Sequence, residues 1–321
     1  MNLIRKIFSI YNERGHKIVR ILGLKLSFKK SVDLKLIEQR INTKINKLDE
    51  INYTRLARIN PKPYLTNFVI DITHHCNLNC KGCDHFSPLA EEGYYDLEQF
   101  KKDIKRISEL TNGRIDRIGI MGGEPLLNPN CIEYLKISRQ YLPNTKIRLV
   151  TNGILLTKQS EIFWQKLKEL NIYVEYTKYD INLDYNKIDE IVKKYQVHVE
   201  VYGYNQNVVK TSHKIPLDLN GNQDVVYNFL NCFHGNHCIT LKNGKIYTCT
   251  VAPNIEHFNK YFDKDIPLSD YDGIDIYKVN NIQEILQFLA KPIPFCRFCN
   301  VKGRTFGHKW GISKKDISEW T

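Results

Sequence analysis

Several things are missing from this 321-residue chain, and each absence excludes something. No run approaches the eighteen or so apolar residues that span a bilayer, so no membrane-spanning helix is expected. The start is basic, but the apolar run Ile7 to Tyr11 is short and no small-residue cleavage site follows, so a secretory signal is not expected. Acidic residues are scarce near the start: residues 1–30 hold Arg5, Lys6, Arg14, Lys17, Arg20, Lys25, Lys29 and Lys30 against Glu13 alone. No recognisable nucleic-acid fold or aromatic stacking platform accompanies that charge. An even cysteine count is lacking too. The nine cysteines cluster at spacings of two and three, which suits metal ligands in a reducing cytoplasm rather than a disulfide framework.

What is present reads as a globular protein, with 42% hydrophobic and 26% charged residues and a net charge of +12. The basic start has two readings: a solvated face, or peripheral contact with an anionic surface such as a membrane. The expected location is cytoplasmic.

Residues 1–63 form a basic N-terminal extension. The alternation of Leu22, Leu24, Leu26 and Phe28 with polar residues predicts a strand, and apolar spacing from Leu34 to Leu48 predicts a helix over 31–60. Pro61-Lys62-Pro63 ends it. Residues 64–220 alternate strands (67–72, 117–121, 146–150, 171–177, 197–203) with helices (near 96–110, 129–141, 158–169, 185–195). Repeated βα units imply a parallel sheet, with ligand sites at the carboxyl ends of its strands. A sixth strand is sought in 206–220. Residues 221–321 are loop-rich, hold five cysteines and carry an Asn243-Gly244 hairpin turn.

Chemistry concentrates at three strand ends. Cys76-x3-Cys80-x2-Cys83 follows the first strand, Gly122-Gly123-Glu124-Pro125 the second and Thr151-Asn152-Gly153 the third. Three thiolates leave one position of a four-iron cluster open, whereas four close it. A zinc site beside an unrelated turn is the competing reading.

The Cys triplet and the Gly-Gly-Glu-Pro turn resemble the radical S-adenosylmethionine (SAM) superfamily. The resemblance implies a partial (β/α)6 TIM-like barrel, an α/β fold. It implies a [4Fe-4S] cluster on Cys76, Cys80 and Cys83, whose open iron chelates SAM. Gly122, Gly123, Glu124, Pro125, Thr151 and Asn152 are then expected at SAM. The family's aromatic residue before the third Cys is Gly82 here, so His85 or Phe86 is expected to face the adenine. Reductive cleavage of SAM would give a 5′-deoxyadenosyl radical that abstracts a hydrogen atom, with flavodoxin or ferredoxin as reductant.

Cys232-x11-Gly244-x4-Cys249 followed by Cys296-x2-Cys299 resembles the auxiliary-cluster domains of that superfamily, the short twitch type of the SPASM-like extensions. It implies a second [4Fe-4S] cluster on Cys232, Cys249, Cys296 and Cys299 in a small C-terminal domain, 221–321. A four-Cys zinc ribbon fits the same spacing. Cys238 remains open: a substitute ligand for Cys232, a packed residue, or a hydrogen-atom donor. Glu175 and Lys178 on the fourth strand are candidates for deprotonation or carboxylate binding. Two resemblances, the short auxiliary domain and the segment His16–Lys25, point to carbohydrate or nucleotide-sugar chemistry for surface polysaccharide, by oxidation, epimerisation or dehydration. Peptide maturation is the alternative, and RNA modification a further one.

Overall fold

The computed structural model describes residues 8–13, 16–22, 24–28, 34–202 and 210–321. Contacts divide the chain into two compact units, 1–54 and 55–321. In the first, three strands form an antiparallel meander: β1 (Phe8–Glu13), β2 (His16–Ile21) and β3 (Leu24–Phe28). Sequence alternation identifies only the last of these. A 26-residue helix follows, α1 (Leu34–Ile59), close to the expected span.

The second unit is built on an eight-stranded sheet. In chain order its first five strands are β4 (Asn67–Thr73), β5 (Arg117–Gly122), β6 (Lys146–Thr151), β7 (Ile172–Thr177) and β8 (His198–Tyr202). All five run parallel and lie side by side. The helices between them are α2 (Leu97–Thr111), α3 (Cys131–Tyr141), α4 (Glu161–Glu169) and α5 (Tyr185–Tyr195). Local chemistry sets their starts. Asp96, Ser160 and Asp184 cap α2, α4 and α5 by accepting from backbone N–H groups three residues on.

The expected sixth strand is not supplied by the described part of 206–220. Residues 203–209 lie outside the described set, and β9 (Thr211–Lys214) pairs instead with β13 (Thr305–Lys309). The sixth parallel strand is β10 (Thr240–Lys242), the first arm of the predicted hairpin, which docks on β4. The second arm, β11 (Lys245–Tyr247), and β12 (Gly273–Asp275) extend the sheet antiparallel. Three residues of chain suffice because Leu241 and Ile246 are fully buried, so packing rather than length holds the strand.

The two faces of the sheet differ, as strand alternation requires. Phe68, Ile70, Ile72, Ile118, Ile120, Ile147, Leu149, Ile172 and Val174 face the helices in one core with Phe100, Ile104, Leu135 and Trp164. The opposite face carries Asn67, Arg117, Arg148, Glu175 and Thr177 and lines a cavity. A second core gathers Val251, Ile255 and Phe258 of α6 (Val251–Phe262) with Phe295, Phe298 and Trp320. No described helix is long and apolar enough to cross a membrane.

Candidate active site

The three motifs meet at the carboxyl edge of the sheet because parallel strands end there together. Cys76, Cys80, Cys83, Gly122, Gly123, Thr151 and Asn152 all line one cavity of about 440 Å³. The Cys loop turns through left-handed backbone at Asn79 and Gly82. At Gly82, φ is +64° and a Cβ would stand 3.3 Å from the carbonyl oxygen of Glu319. That close approach explains why no aromatic residue occupies the position. The C-terminal segment clamps the loop: Lys81 N–H donates to Gly311 (2.8 Å), and the Trp320 indole donates to the Cys83 carbonyl (3.0 Å).

Gly122 and Gly123 are required by contact. A Cβ on Gly122 would lie 2.1 Å from the Thr73 carbonyl oxygen, and one on Gly123 would lie 2.0 Å from that of His75. The turn therefore packs its backbone against the start of the Cys loop. Glu124 points inward and is fully buried. Its carboxylate accepts from Leu126 N–H (3.1 Å), Thr151 Oγ1 (2.7 Å) and Asn152 N–H (2.9 Å). One residue thereby fixes the ends of β5 and β6 together. Burial raises its carboxyl to about 7, against those three donors.

The donor set suits a metal cluster. Burial pushes the Cys76 thiol up to about 11 and Cys83 to about 12, and the neighbouring Cys80 adds to both. Such thiols are inert unless a metal draws off the proton. The Trp310 indole and the Tyr179 hydroxyl, both on the cavity wall, reach Cys80 and favour its thiolate against burial, as a metal-bound sulfur requires.

Sequence comparison decides the family of this segment. Residues 70–214 match the model of the Radical SAM superfamily, and that span contains all three motifs. The chain carries a radical SAM superfamily domain. A probable GTP 3′,8-cyclase from Pyrococcus abyssi is 28% identical over 133 residues, covering 40% of this chain and 42% of that protein. A GTP 3′,8-cyclase from Campylobacter lari is 26% identical over 113 residues, 35% of each. The chain thus spans less than half the length of the curated relatives it matches. Among solved structures, BtrN in complex with AdoMet and 2-DOIA aligns at 16% identity with a TM-score of 0.46, covering 74% of this chain and 94% of that one. The superfamily implies a [4Fe-4S] cluster and SAM as cofactors.

Around the radical SAM cysteines two expectations need correction. Phe86 does not face the cavity. It is 1% exposed and packs on Phe258 (5.7 Å between centroids) and Trp320 (6.2 Å), because φ of +52° turns it into the second core. His85 does line the cavity, but its Nδ1 is bonded to Asp71 (2.8 Å). Lys178 is not on the cavity wall either; its ammonium lies over the Tyr185 ring at 5.5 Å. Strand alternation turns it away, while Glu175, Thr177 and Tyr179 face in. Glu175 is held by Arg148 (2.6 Å), so it stands as half of a buried ion pair rather than a free base.

Several cavity residues escaped the sequence reading. Arg117, Arg148 and Asn67 were legible as the polar set of the strand alternation, but the motifs drew attention to strand ends. Asp84, His213 and His234 were not legible: Asp84 Oδ2 meets His213 Nε2 at 2.9 Å and His234 Nε2 at 3.3 Å, from three distant segments.

Beyond the radical SAM domain, four more thiols converge. Burial raises Cys299 well above its ordinary value, and Cys249, Cys232 and Cys296 add to that shift, so all four share one environment. Asn228 donates its amide to the carbonyls of both Cys296 (2.7 Å) and Cys299, which shapes that pair. Cys238 faces elsewhere. It lines the central cavity together with Cys76, Cys80 and Cys83, and burial lifts its thiol to about 12.

Proposed function

We propose that this radical SAM enzyme abstracts a hydrogen atom from a hydroxyl-rich small molecule, a carbohydrate or nucleotide-sugar, and that Cys238 returns a hydrogen from the other side, inverting one carbon. The observation that carries this is the position of Cys238. Parallel pairing of Thr240 with Val69 sets Cys238 level with Asn67, at the amino edge of the sheet. The cluster cysteines follow Thr73, at the carboxyl edge of the same cavity. A substrate between them has a thiol on the side opposite the site of abstraction.

In this reading Cys76, Cys80 and Cys83 hold a [4Fe-4S] cluster, and Gly122, Gly123, Glu124, Thr151 and Asn152 shape the SAM pocket. When bound, the cluster and SAM supply a radical able to take hydrogen from an unactivated C–H bond. Cys238 stays protonated near neutral pH, as a hydrogen-atom donor must. Its S–H bond breaks, a new C–H bond forms on the substrate radical, and the sulfur is left one electron and one proton short. Flavodoxin or ferredoxin would return the electron, by way of a second cluster that Cys232, Cys249, Cys296 and Cys299 would hold, and water would return the proton. Arg148, Glu175, Asn67, Thr177 and His213 give the wall the donors and acceptors that sugar hydroxyls need.

A second reading is favoured by the curated relatives, whose names specify GTP chemistry. It replaces the sugar by a purine nucleotide as the group attacked.

The test is turnover in deuterated water, run anaerobically with reconstituted protein, SAM, reductant and a nucleotide-sugar pool. One solvent deuterium at an inverted carbon is expected, because a thiol hydrogen exchanges with water. Cys238→Ala should still form 5′-deoxyadenosine but yield no inverted product. Deuterated, inverted product from Cys238→Ala removes the thiol from the reaction. A product lacking two hydrogens identifies oxidation instead.

A further inference from the structure

Some of the charge on and near the cavity wall is paired. Arg148 is paired with Glu175, His213 and His234 with Asp84, and, nearby, Lys146 with Glu200 and Lys242 with Glu256. One mouth differs. Asn67 aligns with Arg117 across β4 and β5, and Cys238 is level with Asn67, so the three stand in a row at the amino edge. All three line the cavity together with His237. Behind His237, Lys62 donates to the Asn236 carbonyl (3.0 Å) and Arg58 to that of Gly235 (2.6 Å). Among the described residues, Arg58, Lys62 and Arg117 have no carboxylate within ion-pair distance.

Three like charges gathered without a counter-charge are costly, more so where they are partly desolvated. Burial holds Lys62 below its ordinary value, and Arg58 adds to this. Burial likewise depresses His237, with Lys62, Arg58 and Arg117 all pressing in the same direction. No polypeptide carboxylate is paired with Arg58, Lys62 or Arg117, so this mouth would attract a ligand of opposite charge.

We infer that this mouth is a subsite for a phosphoryl group of the substrate, a diphosphate above all, with Arg117 and His237 touching its oxygens and Lys62 and Arg58 supplying the field behind. A lone carboxylate would offset one of three permanent charges; a diphosphate offsets two or more. Arg117 offers the planar fork that suits phosphoryl oxygens. The inference deepens the reading above by naming the anchor. With phosphoryl oxygens at Arg117, the group next to them lies beside Cys238. The seven residues of β4 span about 20 Å from there to the Cys loop, which leaves room for a sugar ring attached through the diphosphate.

The probe is inorganic pyrophosphate, titrated calorimetrically into anaerobically reconstituted protein with SAM present, beside malonate as a dicarboxylate control. Wild type should bind pyrophosphate, more weakly as salt rises. Arg117→Gln should weaken binding about tenfold, as loss of one charge-assisted contact of about 1.4 kcal/mol would. Lys62→Gln should weaken it less, and Arg117→Lys should recover part of the loss. Iron content and circular dichroism of each variant separate loss of the subsite from loss of the fold. No binding by wild type, equal affinity for malonate, or binding unchanged in both Gln variants overturns the inference. SAM cleavage by the same wild-type sample is scored separately. Cleavage without pyrophosphate binding overturns the subsite and leaves the radical reading standing. Binding that Arg117→Gln removes, without cleavage, supports the subsite and counts against that reading.

Discussion

Glu124 shows how a motif residue acts structurally. Its two carboxylate oxygens meet three donors and no acceptor. Glu124→Gln would turn an amide N–H₂ toward one of those donors. The expected cost is about 1–3 kcal/mol of stability, measured by urea denaturation of the metal-free protein. SAM affinity should fall as well, since Thr151 and Asn152 lose their anchor. The Asp71–His85 pair is a second residue-scale case. Burial pushes the Asp71 carboxyl up, but His85 and the Asn254 amide outweigh it and leave the group below its ordinary 3.8. Burial pushes His85 down, but Asp71 outweighs that and leaves it above 6.5. The depressed carboxyl contributes stability above 3.8 that is lost as pH falls through its folded value. The raised imidazole contributes stability below 6.5 that is lost as pH rises through its folded value. The stability difference between wild type and Asp71→Asn should therefore be largest between those two limits. A difference that grows steadily above neutral pH would rule the pair out as its source.

At the scale of elements, the hairpin of β10 and β11 is held to α2 by one buried carboxylate. Asp103 is fully buried and accepts from Tyr95 OH (2.5 Å), Tyr277 OH (2.5 Å), Gln99 Nε2 (2.8 Å) and Gly244 N–H (2.8 Å). Gly244 itself needs φ of +73°, and a Cβ there would meet Tyr277 at 2.9 Å. Asp103→Ala strands four donors at once. A loss of about 3 kcal/mol or more is expected from the worth of hydrogen bonds to a charged group. Because β10 carries the chain on from Cys238, hydrogen exchange at Val69, whose N–H donates to Ile239 (2.8 Å), should speed up in the same variant. Unchanged protection there would mean that β10 docks without this tie.

For the molecule as a whole, the two thiol groups are separable. Cys296→Ala should leave the first cluster's spectrum intact and remove about four irons per chain. Loss of zinc rather than iron would replace the second cluster by a structural metal.

Much of this was legible in the sequence, because it depends on neighbours along the chain. The five strands and four helices of the parallel sheet follow from local periodicity and caps. Convergence of the Cys loop, Gly-Gly-Glu-Pro and Thr151-Asn152 follows from parallel topology, which sends every strand end to one edge. Contacts between distant segments were decided only in the folded chain. The sixth parallel strand is three residues of a hairpin, too short for any periodic signal and held by burial of Leu241. Phe86 went to the core because tertiary packing chose its direction. The separation of Cys238 from the other cysteines of the C-terminal third, and the row it forms with Asn67 and Arg117, depend on the register between β10, β4 and β5. Sequence spacing carries no information about register across strands more than a hundred residues apart. The sequence determined which chemistry this protein holds, and the tertiary structure decided which residues face it.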